Sequence, residues 1–185
     1  MSIFGSGLSG PGKTTAVDID GTAMRVYFET PFQINAEVPL TVAPGAHTIR
    51  VQSAYGTLQQ PVNVSAVAPG IFLLGSPPAG AITSAAFSLI SSTNPLPRGQ
   101  TLIVFATGLG AVKPRGNLSE TVSPVTAMVN GVELPVAFAG LAAGYTGGLY
   151  QVNVLIPAST PPGLGISLTL KVAGQVSNVV ILAVQ

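Results

Sequence analysis

The residues that most resemble a chemical motif lie at the start of the chain. Gly7-Leu8-Ser9-Gly10-Pro11-Gly12-Lys13-Thr14 fits the phosphate-binding pattern G-x-x-x-x-G-K-[ST], and Gly5-Ser6-Gly7-Leu8-Ser9-Gly10 fits G-x-G-x-x-G. Both patterns work through backbone amides and a helix N-terminus converging on phosphate, so a helix must follow Lys-Thr. Here Thr15-Ala16-Val17-Asp18-Ile19-Asp20-Gly21 follows, which reads as a strand entering a turn. The motif therefore predicts a loop, with no nucleotide or other cofactor. Asp18-x-Asp20-Gly21 has the opening of a calcium loop, with Glu29 as its twelfth residue. Gly21 comes too early for that loop's turn, and Arg25-Val26-Tyr27-Phe28 reads as a strand, so a hairpin is expected and no metal site is assigned. His47 is the single histidine and follows Pro44-Gly45, which predicts a solvated turn residue. No G-x-S-x-G nucleophile elbow is present, and nothing in the spacing of the six carboxylates selects an acid/base pair. No catalytic residue is assigned, and the chain reads as a non-enzyme.

Two amide pairs remain. Gln33 and Asn35, and again Gln151 and Asn153, stand two residues apart on apolar-alternating segments, so each pair shares one strand face. Planar amides both donate and accept hydrogen bonds. They serve either as a polar outer face or as contacts to a glycan, with Tyr27, Tyr55, Tyr145 or Tyr150 available for stacking. Gln33, Asn35, Tyr150, Gln151 and Asn153 are thus the candidate ligand or assembly surface. Trp is absent and aromatics make up 6 %, which favours the structural role.

The elements that hold these residues follow from composition and pattern. Apolar residues make up 47 % of the 185, enough for a core, while charged residues make up 7 % against about 25 % in ordinary soluble proteins. Seven Lys/Arg are scattered singly at a net charge of +1, which excludes the clustered basic footprint of a nucleic-acid binder. No apolar run is long enough for a spanning helix, so no membrane insertion is expected. Cysteine is absent, which removes disulfides, thiolate metal sites and a Cys nucleophile. Runs of four to eight residues rich in Val, Ile, Leu, Thr and Phe lie between closely spaced Gly and Pro, the pattern of short strands and tight turns. No segment reads as a helix.

The chain repeats itself. Ile3-Phe4-Gly5-Ser6-Gly7-Leu8 echoes Val104-Phe105-Ala106-Thr107-Gly108-Leu109, and Val17-Asp18-Ile19-Asp20-Gly21 echoes Ala127-Met128-Val129-Asn130-Gly131. Phe32-Gln33-Ile34-Asn35-Ala36-Glu37-Val38-Pro39 echoes Tyr150-Gln151-Val152-Asn153-Val154-Leu155-Ile156-Pro157, while Pro44-Gly45 matches Pro162-Gly163 and Gly56 matches Gly174. The offset grows from 101 to 110 to 118 residues, so the second copy carries two insertions, one after Leu109 and one at Gly140 to Gly148. Asp20-Gly21 and Asn130-Gly131 suit type I′ hairpin turns. The fold class expected is all-β, two tandem immunoglobulin-like β-sandwich modules: residues 1–68, and residues 69–185 with added N-terminal strands at Ile71 to Leu74 and Ala85 to Ile90. The first module lacks these added strands and is marginal at its length. It is expected to pack on the second, or to have a missing first strand supplied by another segment or chain.

On the run Ser2 to Leu8, the strand Gln33 to Pro39, the Ala68-Pro69-Gly70-Ile71-Phe72 connector, Phe105 to Gly110 and Leu149 to Val154, the chain resembles the Solibacter-type C-terminal domain of large secreted proteins of soil acidobacteria. Each half also resembles the IPT/TIG class of immunoglobulin-like domains. The resemblance implies an extracellular, modular, non-catalytic unit and carries no site residues. The expected function is a secreted or cell-surface module for adhesion, spacing or self-assembly, or alternatively a carbohydrate-binding accessory module. The expected partners are further copies paired through strand edges, with the C-terminal strand Asn178 to Val184 as the candidate edge, or a glycan or cell-surface protein.

Overall fold

The computed structural model describes residues 1–145 and 147–185, and its elements are all strands. The chain divides into two compact units, Met1–Ala66 and Val67–Gln185, a boundary two residues before the one expected.

The first unit contains β1 (Ser2–Phe4), β2 (Ala16–Ile19), β3 (Thr22–Glu29), β4 (Gln33–Glu37), β5 (Gly45–Ser53) and β6 (Gly56–Val64). They pair in the order β1-β4-β3-β2-β5-β6, all antiparallel. β3 belongs to two sheets. Its first residues, Thr22–Met24, pair with β2, and the rest, from Arg25 to Glu29, pairs with β4 on both sides of a bulge between Val26 and Phe28. A bulge bends a strand and lets it turn the corner from one sheet to the facing one. The core lies between the two halves. Period-two alternation sends Val17, Ile19, Ile34, Ala36, Ile49 and Val51 inward, with Leu8 and Met24 completing it.

The second unit opens with a leader of short strands: β7 (Gly70–Ile71), β8 (Leu73–Leu74), β9 (Ala79–Gly80) and β10 (Ile82–Ser84). The expected first leader strand is broken at Phe72, for Ile71 pairs with the sheet whereas Leu73 and Leu74 pair with β9. The segment Ala85 to Ile90 is not a strand. Phe87 adopts φ 59° and its N–H bonds back to the Ser84 carbonyl at 2.9 Å, so the chain turns just after β10.

Next come β11 (Thr101–Thr107), β12 (Val112–Arg115), β13 (Leu118–Thr121), β14 (Val125–Val129), β15 (Val132–Leu141), β16 (Tyr150–Leu155), β17 (Gly163–Val172), β18 (Gln175–Val176) and β19 (Val180–Val184). The path β11-β16-β15-β14-β17, continued by β18 and β19 on β17, reproduces the order of the first unit. The register agrees as well: Ile3 faces Ile34 as Val104 faces Val152, and β15 carries its bulge between Val136 and Phe138. Asp20-Gly21 and Asn130-Gly131 have φ of 48°/83° and 49°/80°, as a type I′ turn requires.

One match shifts by a residue. The β5–β6 turn falls on Ala54-Tyr55 and the β17–β18 turn on Ala173-Gly174, so Gly56 stands opposite Gln175 and not Gly174. The extra residue enters where the β17–β19 register slips between Gly163 and Ile166. These pairings define both units as immunoglobulin-like β-sandwiches.

Candidate functional site

The insertion after Leu109 is the hairpin β12–β13, which joins the sheet where Glu120 meets Gly140. Gly140 is required there, since a Cβ would lie 2.0 Å from the Ser119 carbonyl oxygen. The second insertion lengthens β15 and adds the loop between Ala142 and Leu149, closed by the Ala142 N–H donating to the Leu149 carbonyl at 2.9 Å. The two insertions converge on one groove of about 340 Å³. Arg115 and Leu118 come from the first, Leu141 and Ala143 from the second, and Ala137, Phe138, Gln151 and Asn153 from the sheet between them.

Gln151 and Asn153, expected to share a face, do so: Gln151 Nε2 donates to Asn153 Oδ1 at 2.9 Å. Phe138 stands opposite Asn153 in register. Arg115 Nη1 donates to Glu120 Oε1 at 2.7 Å, which fixes the guanidinium on the groove's wall. Tyr150 leaves the candidate surface. It is buried in the core and its hydroxyl donates to the Gly110 carbonyl, because strand parity turns it away from Gln151. Burial pushes its phenol above the ordinary value.

The first unit repeats the amide pair without the walls. Gln33 Nε2 donates to Asn35 Oδ1 at 2.9 Å, with Phe4 opposite Gln33 and Phe28 opposite Asn35. Phe4, Phe28 and Phe32 are all exposed. Arg25 lies 5.0 Å over the Tyr27 ring, and the Tyr27 hydroxyl donates to Glu37. The result is an open, aromatic-rich outer face where the second unit has a groove. The sequence marked the amides and the insertions; Arg115, Leu118 and Phe138 were missed, although the insertion after Leu109 was the signal for the first two.

The glycine-rich loop is a packing device. Gly7 takes φ 66°, and a Cβ on Gly10 would lie 2.7 Å from Tyr55 Cε2, so the glycines make a bed for the tyrosine ring. Ser53 Oγ donates to the Gly7 carbonyl at 2.8 Å and Thr15 Oγ1 to that of Leu8 at 3.0 Å. The strand β2 follows where a phosphate motif needs a helix.

The carboxylates of the Asp-x-Asp-Gly turn are engaged. Asp18 Oδ2 accepts from Arg50 Nε at 2.7 Å, and Asp20 Oδ1 accepts from the Thr48 N–H at 2.8 Å. Asp20 Oδ2 meets His47 Nδ1 at 2.6 Å, while His47 Nε2 meets the Ala43 carbonyl at 2.7 Å. The Thr48 amide and His47 hold the Asp20 carboxyl below its ordinary value. His47 is therefore not the solvated turn residue expected; it lies half-buried in β5. Asp20 and the Ala43 carbonyl raise its pKa.

No protein-family model and no curated protein sequence matches the chain. Among solved structures, the chain is similar to a Bacteroides ovatus surface protein, SGBP-B of the mixed-linkage glucan utilization locus, in complex with a heptasaccharide, at 14 % identity and TM-score 0.35, covering 100 % of this chain. The chain spans 39 % of that protein's length. It is also similar to the titin immunoglobulin tandem A164-A165 at 12 % identity and TM-score 0.31, covering 95 % of this chain and 83 % of that one. Domains 4 and 5 of the S-layer protein SbsC match at 17 % identity and TM-score 0.25, covering 93 % and 74 %. At these scores the likeness carries nothing about function, and the class of fold rests on the strand pairing.

Proposed function

We propose that the chain is a non-enzymatic extracellular or cell-surface module for adhesion, spacing or assembly. The observation that carries this reading is the outer face of the first unit, where exposed Phe4 and Phe28 stand opposite Gln33 and Asn35 in register. Contiguous exposed aromatics rimmed by polar groups mark interaction surfaces. The ionisable groups support a non-catalytic role: Asp18, Asp20, Glu120 and Glu133 each sit in an ion pair on the surface, with Arg50, His47, Arg115 and Lys171. Light scattering across a concentration range tests the assembly arm. Self-association that Phe4→Ser and Phe28→Ser together abolish is the expected result; a strict monomer at high concentration rules it out.

The groove of the second unit favours a second reading, a carbohydrate-binding accessory module. Its 340 Å³ lies at the low end of the roughly 300–1,000 Å³ of small-ligand sites. An amide pair beside an aromatic ring suits a neutral, hydroxyl-rich ligand. A glycan array is expected to give hits that Asn153→Ala and Phe138→Ala both remove. An array without hits discards this reading and leaves the first untouched.

A further inference from the structure

The C-terminal strand is not the free edge that the sequence suggested. The Leu96 N–H donates to the Ala183 carbonyl and the Gln185 N–H to the Leu96 carbonyl, each at 2.9 Å, so Leu96 caps β19. The groove between the two insertions of the same unit is open, and three kinds of group line it. Among the described residues the lining carries one ionised side chain, Arg115, whose charge Glu120 matches. A phosphate or carboxylate would have to displace that carboxylate, so the groove suits a neutral ligand. Gln151 Nε2 donates to Asn153 Oδ1, which leaves Gln151 Oε1 to accept and Asn153 Nδ2 to donate. The rest is apolar: Leu118, Ala137, Leu141 and Ala143 around Phe138. A sugar that bears only hydroxyls can lay its C–H face on one ring. Hydroxyls turned toward aliphatic walls lose water without gaining a partner. Those walls suit a methyl group.

The two units show where the room comes from. β3 and β15 carry the same bulge, between Val26 and Phe28 and between Val136 and Phe138, which makes Tyr27 and Ala137 the extra residues. A bulge breaks period-two alternation, so Ala137 and Phe138 both face the groove. In the first unit this position holds a ring: Arg25 lies 5.0 Å over Tyr27, whose hydroxyl donates to Glu37. The second unit has a methyl group in its place. Gly140 adds to the space, for a Cβ there would lie 2.6 Å from Phe138 Cζ.

We infer that the groove holds the acetamido group of an N-acetylated sugar. Its methyl packs among Leu118, Ala137 and Leu141. A trans secondary amide points its C=O and N–H opposite ways. The carbonyl therefore accepts from Asn153 Nδ2, while a neighbouring ring hydroxyl donates to Gln151 Oε1. The inference rests on the carbohydrate reading of the groove and narrows it to one ligand class.

The probes are two sugar pairs, each differing only at C2: N-acetylglucosamine with glucose, and N-acetylgalactosamine with galactose. Each is titrated into the full 185-residue chain and followed by backbone amide NMR. In at least one pair the acetamido sugar should bind at least about fourfold tighter than its parent, the ratio that burial of one methyl implies. The shifts should fall at Ala137, Gln151 and Asn153. Leu118 is exposed, so Leu118→Ser should fold; it should erase most of the preference and leave the parent sugar's binding unchanged. Ala137→Tyr, which copies the first unit, should abolish binding of both sugars, with unchanged amide shifts at buried Leu168 showing that the unit is folded. Equal binding within both pairs, or a preference that survives Leu118→Ser, overturns the inference and leaves the carbohydrate reading standing. Shifts outside the groove overturn it as well. No binding by any of the four sugars also overturns it, and the broader reading then falls only if the glycan array is blank.

Discussion

His47 has an acceptor at each ring nitrogen, the Asp20 carboxylate at Nδ1 and the Ala43 carbonyl at Nε2. A neutral imidazole can satisfy only one of them as donor, so the pair favours the imidazolium. The pKa is raised in the folded chain above the ordinary 6.5. The stabilisation is therefore fully present below the unfolded value and is lost as pH rises through the folded one. Urea midpoints of the first unit are expected to fall as pH rises across this window, and His47→Gln should flatten the dependence. In an NMR titration Asp20→Asn should return the imidazole toward its ordinary pKa; an unchanged value would sink the account. Sequence placed His47 in a turn because Pro44-Gly45 precedes it, and its partner lies 27 residues away, beyond any local pattern.

The strands and their faces were readable because period-two alternation is a local signal. Gln33, Asn35, Gln151 and Asn153 fell on outer faces for that reason, and the same parity should have removed Tyr150 from the candidates. The groove was not readable, since its walls depend on how closely β12–β13 approaches the sheet at Gly140. That contact is testable. Gly140→Ala puts a methyl 2.0 Å from the Ser119 carbonyl oxygen and 2.6 Å from Phe138 Cζ. The clash is with backbone, so the hairpin must move, at a cost of roughly 1–3 kcal/mol. Urea unfolding measures the cost, and amide shifts at Ser119 and Gln151 report the displaced hairpin. A variant with wild-type stability and shifts would show that the hairpin is not seated on Gly140.

Two units with separate cores make up the molecule, and the repeat made that division visible from sequence. Ile34 anchors the core of one and Leu168 that of the other, both fully buried. Truncating either to Ala is expected to cost about 2–5 kcal/mol. The first unit ends at Ala66, and a unit of that length has little margin, so Ile34→Ala should unfold it near room temperature. Hydrogen exchange resolved by residue separates the outcomes: each variant should lose protection in its own unit first, and uniform loss would contradict separate cores. The sparse charge of the chain, a net +1 with charged residues at 7 % of the sequence and four ion pairs among the described residues, has a kinetic consequence. A surface with so little net charge casts little field to steer a partner, so encounters should proceed at the unsteered rate, about 10⁵–10⁶ M⁻¹s⁻¹, and change little with salt. Any tight complex this molecule forms must then owe its strength to how slowly it comes apart.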